Sequence, residues 1–228
     1  SKDNAIPRES EAVILTDENE KVKEFIKKWE KILKNEYKFT DNEVRISVEK
    51  IEYISKALSQ ETAFKILTAI NLTPNGPRVK STEIDLVIHS NNLGVIVTEE
   101  DNIILKNAPR SSVESLTDDF VSTMKQLAKA LDIKYEDGAF YPGWEYAKKS
   151  PIRDFCVQTY EELTEKKAKV EAIHAGLECG FLIQKIGKLD AISFGPEMHD
   201  IHTPNEHLSI SSAERTFNLL CEILKKIK

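Results

Sequence analysis

The sequence predicts a two-layer α+β sandwich followed by part of an α/β layered domain. Up to residue 140, two amphipathic helices lie between segments that alternate as antiparallel strands do. From residue 141 onward, helices and single strands alternate, which is typical of an α/β layer. The second part is short for a complete α/β domain, so we expect some of its strands to be missing. The predicted boundary at Asp137–Gly143 gives the domains 1–140 and 141–228.

The first part opens with a predicted strand, Ala12–Leu15, and an amphipathic helix. We expect Asp17 to cap this helix, because a side-chain oxygen there can accept from a free backbone N–H. Residues 44–48 alternate apolar and charged side chains, which predicts a half-buried strand. In the helix that follows Asp17, the apolar side chains recur at spacings of three and four residues: Val22, Phe25, Ile26, Trp29, Ile32 and Leu33.

A second helix, Gln60–Ile70, ends at the turn 73–76. Strands are predicted at Ile84–Ile88, Leu93–Thr98 and Ile103–Lys106, and the last two form a hairpin. Such a sheet has edges, and an exposed edge can pair with another subunit. A long helix follows, with the predicted buried stripe Leu116, Phe120, Met124, Leu127 and Leu131.

The second part begins with a helix opened by Ser150 and Pro151, since proline loses no hydrogen bond at the first helical position. A capping box, Ser211 with Glu214, starts the last helix. Three elements alternate between them: a strand near Val170–Ile173, a helix Glu178–Ile186 and a buried strand Ala191–Phe194. The buried stripe predicted for the last helix is Ala213, Phe217, Leu220, Leu224 and Ile227.

Composition excludes several classes of protein. A net charge of −6 argues against a nucleic-acid partner, because phosphate binding needs a basic face. No apolar run approaches the roughly 18 residues that span a bilayer. Cys156, Cys179 and Cys221 are scattered, which predicts reduced thiols and no cysteine-based zinc site. The start at Ser1, without Met or a secretory signal, predicts a processed, tagged or internally cut chain.

The densest polar cluster, residues 197–207, contains His199, His202 and His207. It follows a predicted strand end, where sites of α/β domains tend to lie. Imidazole and carboxylate suit zinc, and the turn 203–206 could fix the direction of His202. Judged by spacing alone, the cluster is more typical of a solvated turn. A stiff proline turn cannot wrap three or four ligands around one ion, which argues against a self-contained zinc site.

A second candidate segment is 174–180, which predicts a strand end, a small-residue loop and a helix start. Gly176 lets a ligand approach the backbone, and the free N–H groups of the helix start attract a carboxylate. A tight structural turn with a partly buried His174 fits the same residues equally well. Nothing orients Cys179 and His174 as a nucleophilic pair.

Three further side chains are candidates for binding. Arg110 offers a planar fork that matches a carboxylate, although a surface ion pair is the commoner role of arginine. Asn4 could donate its amide to a peptide carbonyl or serve as an ordinary turn amide. His89 ends a predicted strand and could face a cleft, the core or solvent.

Together, the segments resemble bacterial aminoacyl-histidine dipeptidases, a branch of the di-zinc aminopeptidase/aminoacylase superfamily. The resemblance covers essentially the whole chain, and the specific motifs are HAGLECG at 174–180 and the H-T-P-N-E turn at 202–206. The supporting segments occur in the same order: NAIPRE at 4–9, TPNG at 73–76, SNNLG at 90–94, YPGW at 141–144 and Gly-Pro at 195–196.

The resemblance implies a catalytic domain interrupted by a lid domain. Residues 1–140 match most of the lid, and residues 141–228 match the returning C-terminal piece of the zinc peptidase domain. The matched site residues have distinct roles: His202 is the last zinc ligand, Arg110 holds the substrate carboxylate, Asn4 lies near the substrate, and His174, Gly176 and Glu178 belong to a substrate-binding loop.

The resemblance further implies a cytoplasmic enzyme that hydrolyses Xaa-His and related dipeptides with water activated by two zinc ions, or by cobalt or manganese. It implies a homodimer formed through the lid, with no nucleic-acid or membrane partner. The other metal ligands and the catalytic glutamate match positions upstream of this chain, so we expect the chain alone to be inactive. His89 stands where relatives more often have threonine, which affects substrate specificity.

Two other functions stay open. One is a non-catalytic, lid-type dimerisation or small-ligand-binding module. The other is an independent metal-binding protein that uses His199, His202 and His207. A mass from light scattering tests the first, and a zinc titration tests the second.

Overall fold

The computed structural model describes residues 5–41, 43–51, 56–138, 141–173, 178–201 and 203–227. They form helices and short antiparallel strands, so the predicted mixture of helix and sheet is confirmed. The chain divides into two compact units, of which the smaller is Arg8–Thr68 and the larger joins Ser1–Pro7 to Ala69–Lys228. The domain boundary near residue 140 stays a prediction. No helix in the described ranges combines the length and the apolar character needed to cross a membrane.

The smaller unit contains helix α1 (Asn19–Glu36) and most of α2 (Gln60–Leu72), and both helices are confirmed. The predicted cap of α1 is wrong. Glu18 occupies the N-cap position and makes no capping hydrogen bond through its side chain, and Thr16 Oγ1 accepts from the Glu18 N–H at 3.0 Å. The threonine, rather than Asp17, therefore closes the turn before the helix.

The two strands predicted for the smaller unit are wrong. Residues 12–15 and 44–48 form no strand with any described segment, because alternation without a hydrogen-bonded neighbour does not make a strand. Ile46 nevertheless lies half-buried, and its N–H donates to Glu30 on α1. The Lys34 ammonium, 2.7 Å from Glu30 Oε1, and this N–H together hold the pKa of the Glu30 carboxyl below its ordinary value.

A three-stranded antiparallel sheet lies at the start of the larger unit. Its strands are β1 (Gly76–Lys80), β2 (Val87–Asn91) and β5 (Arg110–Ser111), with β2 in the centre. The sequence did not predict β1. The predicted strand Ile84–Ile88 is displaced, because Ser81 N–H donates to Leu86 O at 2.8 Å and the chain turns before Val87.

The predicted hairpin is confirmed as β3 (Leu93–Thr98) and β4 (Ile103–Asn107), which pair antiparallel. Strand β5 (Arg110–Ser111) then pairs with β2 and leads into helix α3 (Glu114–Leu131). The predicted stripe of α3 is confirmed as its buried or half-buried side. Phe120 of this stripe is 6% exposed and packs on β2, which makes α3 the cover of the sheet.

The remaining helices are α4 (Pro151–Thr164), α5 (Glu178–Ile186) and α6 (Ile210–Lys226). The predicted bounds of α5 and the predicted start of α4 are confirmed. Ser150 caps α4 as expected, since its Oγ accepts from Arg153 N–H at 3.2 Å. The capping box is wrong, because Ser209 rather than Ser211 is the N-cap of α6.

The strands predicted at 170–173 and 191–194 are also wrong. Neither segment forms a ladder with any part of the chain that the structure describes. Between α5 and α6, the described strands are β6 (Met198–His199) and β7 (His207–Leu208), a short antiparallel pair.

The apolar face predicted to be buried on α6 is largely exposed. Phe217, Leu220 and Leu224 are 64%, 41% and 60% exposed. Ser212 and Ile223 are the buried residues of this helix, each 4% exposed, and α6 packs against α4. The pattern of α6 correctly identified a helix but selected the wrong side as the core of the described chain.

Candidate functional site

The candidate site centres on Arg110, the exposed first residue of β5. The pairing of β5 with β2 places Ser90 opposite Arg110 and His89 opposite Ser111. Ser111 Oγ–H donates to Ile88 O at 2.9 Å, so the backbone beside the arginine is held on the sheet. We refer to Ser90–Asn92 with Ala108–Ser112 as the Arg110 edge.

A buried amide fixes the start of this edge. Asn91 is 2% exposed, and its Nδ2 donates to Pro74 O and to Asn107 Oδ1, both at 2.8 Å. Asn75 Oδ1 in turn accepts from Leu93 N–H at 2.8 Å. These bonds tie the turn after α2 to both strands of the β3–β4 hairpin, which limits the freedom of the backbone that carries the site.

The N-terminal motif begins at the same edge. Asn92 exchanges two backbone hydrogen bonds with Ala108, at 3.3 and 2.9 Å, and its Nδ2 donates to Ala5 O at 2.9 Å. Ala5 directly follows Asn4 in the sequence. The structure thus brings the described start of NAIPRE to the segment that leads into Arg110.

His89 lies in the core beneath the edge, which settles a placement that the sequence left open. It is 5% exposed, and its ring meets Phe120 edge-on with 6.1 Å between ring centroids. Burial lowers its pKa below the ordinary value, although a hydrogen bond to the backbone of Arg110 acts in the opposite direction. Burial therefore disfavours the charged form of His89, and its ring supports the backbone of Arg110.

Two glycines allow close packing between the Arg110 edge and α5. A Cβ atom on Gly143 would lie 2.4 Å from Ser112 O, and one on Gly180 would lie 2.7 Å from Pro142 O. The YPGW segment is thus layered between the end of the Arg110 edge and the first turn of α5. In the sequence these glycines stand out only as parts of the YPGW and HAGLECG motifs, and no local pattern indicates their contacts.

Glu178 is the exposed first residue of α5. The next residue, Cys179, directs its Sγ toward Ile192 O at 3.8 Å. Burial, and secondarily the charge of Glu178, raises the pKa of the Cys179 thiol. Because the thiolate is the nucleophilic form, this environment argues against a catalytic cysteine.

The other predicted site residues, Asn4, His174, Gly176 and His202, lie outside the described residues, and their roles stay predictions. In the described ranges, no three or more His, Cys, Asp or Glu side chains are grouped so that they could hold a metal ion. A two-zinc centre needs several carboxylate and imidazole ligands. The described donors therefore do not fit such a centre.

Comparisons with known proteins agree with the motif evidence. The model of a family described as peptidase family M20/M25/M40 matches residues 14–226. The cytosol non-specific dipeptidase of Escherichia coli (strain K12) is 31% identical, over 98% of this chain and 47% of that protein. The crystal structure of aminoacylhistidine dipeptidase from Vibrio alginolyticus matches with a TM-score of 0.79 and 26% identity, over 92% of this chain and 43% of that one.

This chain spans about half the length of the relatives it matches. The matched family region, by contrast, runs through nearly all of the present sequence, including the Arg110 edge, the glycine contacts and α6. The chain belongs to peptidase family M20/M25/M40.

Proposed function

We propose that this chain forms the substrate-binding part of a cytoplasmic, zinc-dependent dipeptidase that acts on Xaa-His and related dipeptides. The observation that carries the proposal is the exposed Arg110 on a hydrogen-bonded strand edge that packs, through glycines, next to α5. Membership of a peptidase family and likeness to two dipeptidases support it. Residues 1–140 serve as the lid and residues 141–228 as the returning piece of the catalytic domain.

In this proposal, Arg110 holds the carboxylate at the C-terminus of the substrate. Its guanidinium can donate two parallel hydrogen bonds to that group. A fixed carboxylate places the scissile bond of a dipeptide at one distance from the arginine, which favours dipeptides over longer peptides. The bonds made by Ser111 and His89 to neighbouring backbone restrain the arginine before substrate arrives.

The hydrolytic step itself is assigned to groups beyond the described residues. Two zinc ions, or cobalt or manganese, would supply the activated water in this family. His202 is the proposed last ligand. Because the described donors do not fit the pair of ions, we derive no hydrolytic step from this chain and propose that it does not catalyse alone.

A carboxylate-dependent binding experiment tests the role of Arg110. We would titrate the ¹⁵N-labelled chain with a Xaa-His dipeptide and with the same dipeptide amidated at its C-terminus. The free carboxylate is expected to shift the amide resonances of the Arg110 edge, and Arg110→Gln is expected to abolish those shifts. Arg78→Gln, at an exposed arginine of β1, is the matched control and should leave them unchanged. Equal shifts with the amidated dipeptide would contradict the proposal.

We also propose that the smaller unit mediates a homodimer. No residue of α1 is buried, and Phe25 is 58% exposed, while Phe64 and Leu67 of α2 are 67% and 60% exposed. Large apolar side chains that stay exposed on helices are typical of surfaces that a second chain covers. Light scattering should give twice the chain mass of 25.9 kDa, and Phe25→Lys should reduce it to the single-chain value. A single-chain mass for the unsubstituted protein would contradict the dimer.

A further inference from the structure

The short hairpin β6–β7 places two imidazole rings side by side. His199 and His207 are directly opposite each other in the strand register. Their ring centroids are 5.1 Å apart and the ring planes differ by 25°. Opposite residues of an antiparallel pair project from the same face of the ribbon, so both side chains can reach one bound ion.

The hydrogen bonding of His207 favours metal binding by its other nitrogen. Nδ1 lies 2.8 Å from Asn205 O, and because a carbonyl only accepts, Nδ1 must carry the proton of this bond. The neutral ring then presents its lone pair at Nε2. Imidazole ligands of metal ions usually donate their second N–H in this way, which fixes the tautomer and the ring orientation.

The surroundings of the pair favour a cation and hold the hairpin in place. Asp200 Oδ2 lies 3.7 Å from His207 Nδ1 and adds a negative charge beside the rings. Ser212, 4% exposed on α6, accepts from Glu197 N–H through its Oγ at 2.9 Å. Ser209 N–H, directly after β7, donates to the carbonyl oxygen of Glu197, directly before β6, at 3.0 Å. The two histidines are therefore presented by a hairpin that is anchored to a helix, while the side chain of His207 is 60% exposed to solvent.

We infer that His199 and His207 together form a surface site for a borderline divalent transition-metal ion such as Zn²⁺, Ni²⁺ or Cu²⁺. Two neutral imidazoles suit these ions and do not suit Mg²⁺ or Ca²⁺, which prefer oxygen ligands. No third donor is grouped with the pair in the part of the chain that the structure describes, so water completes the coordination and the affinity is lower than that of a structural zinc site. The inference is independent of the peptidase proposal.

A metal titration of the 228-residue chain tests the inference. We would titrate Zn²⁺ and Ni²⁺ by calorimetry and follow the histidine ring protons by NMR. One ion should bind, and the ring resonances of His199 and His207 should respond together. His199→Gln and His207→Gln should each weaken binding by at least about tenfold, because each removes one of two protein ligands.

Met198→Gln is the matched control on the same strand and should leave the affinity for the metal ion unchanged. In a second control, titration with Mg²⁺ in place of Zn²⁺ or Ni²⁺ should leave the NMR spectra unchanged. Far-UV circular dichroism of each variant confirms that the fold is retained. Absence of Zn²⁺ and Ni²⁺ binding would overturn the inference. So would binding that His202→Gln abolishes while His199→Gln and His207→Gln leave it intact.

Discussion

Gly143 lies against Ser112 so closely that a Cβ on the glycine would be 2.4 Å from the serine carbonyl oxygen. Ser112 ends the Arg110 edge, and Gly143 belongs to the YPGW segment that also packs under α5. The contact therefore joins the proposed carboxylate-binding arginine to the part of the chain that returns toward α5. A side chain at this position must displace backbone, which moves less readily than a side chain does.

The first prediction follows directly from this contact. Gly143→Ala should lower the free energy of unfolding by about 1–3 kcal/mol, the range for overpacking a close contact. Gly138→Ala is the control, since a Cβ there meets nothing within 4 Å, and it should be neutral or slightly stabilising. Urea denaturation of both variants measures the difference, and equal midpoints would contradict the close packing at Gly143.

The cap of α4 gives a second prediction. Ser150 is 2% exposed, its Oγ accepts from Arg153 N–H, and its hydroxyl donates to Asp190 Oδ1 at 2.7 Å. Ser150→Ala should lower the free energy of unfolding by about 0.5–2 kcal/mol, as the loss of an N-cap does. Thermal unfolding monitored by circular dichroism would show it.

Asp190 adds a dependence on pH to the same cap. The Ile152 N–H, at 3.0 Å, and the Ser150 hydroxyl hold the pKa of the Asp190 carboxyl below its ordinary 3.8. A lowered carboxyl pKa contributes stability that is present above pH 3.8 and is lost as pH falls through the folded-state value. Asp190→Asn should therefore destabilise the chain at pH 7 more than at pH 3, and the same loss at both values would contradict this.

His89 should make the chain less stable in mild acid. Its pKa is lowered from 6.5 by burial, so the unfolded chain takes up a proton on this ring more readily than the folded chain. The His89 ring therefore leaves the free energy of unfolding unchanged above pH 6.5 and lowers it as the pH falls below that value. His89→Gln should flatten the corresponding part of a stability profile between pH 7.5 and 5. An unchanged slope in the variant would show that the ring titrates as it does in water.

The two sides of α6 should respond differently to truncation. Ile223 is 4% exposed, and Ile223→Ala should cost about 2–5 kcal/mol of unfolding free energy. Phe217 is 64% exposed, and Phe217→Ser should change the stability of this chain by no more than about 0.5 kcal/mol. Denaturation midpoints test both, and a large loss from Phe217→Ser would favour the face that the sequence pattern selected.

The successes and failures of sequence reasoning have a common physical origin. The β3–β4 hairpin, α3 and the Ser150 cap depend on neighbours close in sequence, and the local pattern predicted them. Residues 170–173 and 191–194 need a pairing strand that no described segment supplies, so their apolar character predicted strands that do not form here. Apolar content shows that a surface prefers burial but does not say which partner buries it.

The candidate site likewise combines features that the sequence shows with contacts that only the fold shows. Arg110 was identified by the chemistry of its side chain and by motif order, because both are properties of the sequence. Its support by Ser111, His89 and the Gly143 contact depends on pairing between distant segments, which no local pattern contains. The pairing of His199 with His207 likewise depends on the register of a hairpin that was not predicted.

We propose that this chain binds the dipeptide substrate and that the paired metal ions depend on ligands elsewhere. The most direct test is to measure Xaa-His hydrolysis by the purified 228-residue chain with two equivalents of Zn²⁺ and, separately, Co²⁺ or Mn²⁺. We predict that the free carboxylate of the dipeptide is bound through Arg110 and that no hydrolysis above the uncatalysed rate occurs. Metal-dependent turnover by this chain alone, abolished by a chelator, would contradict the claim.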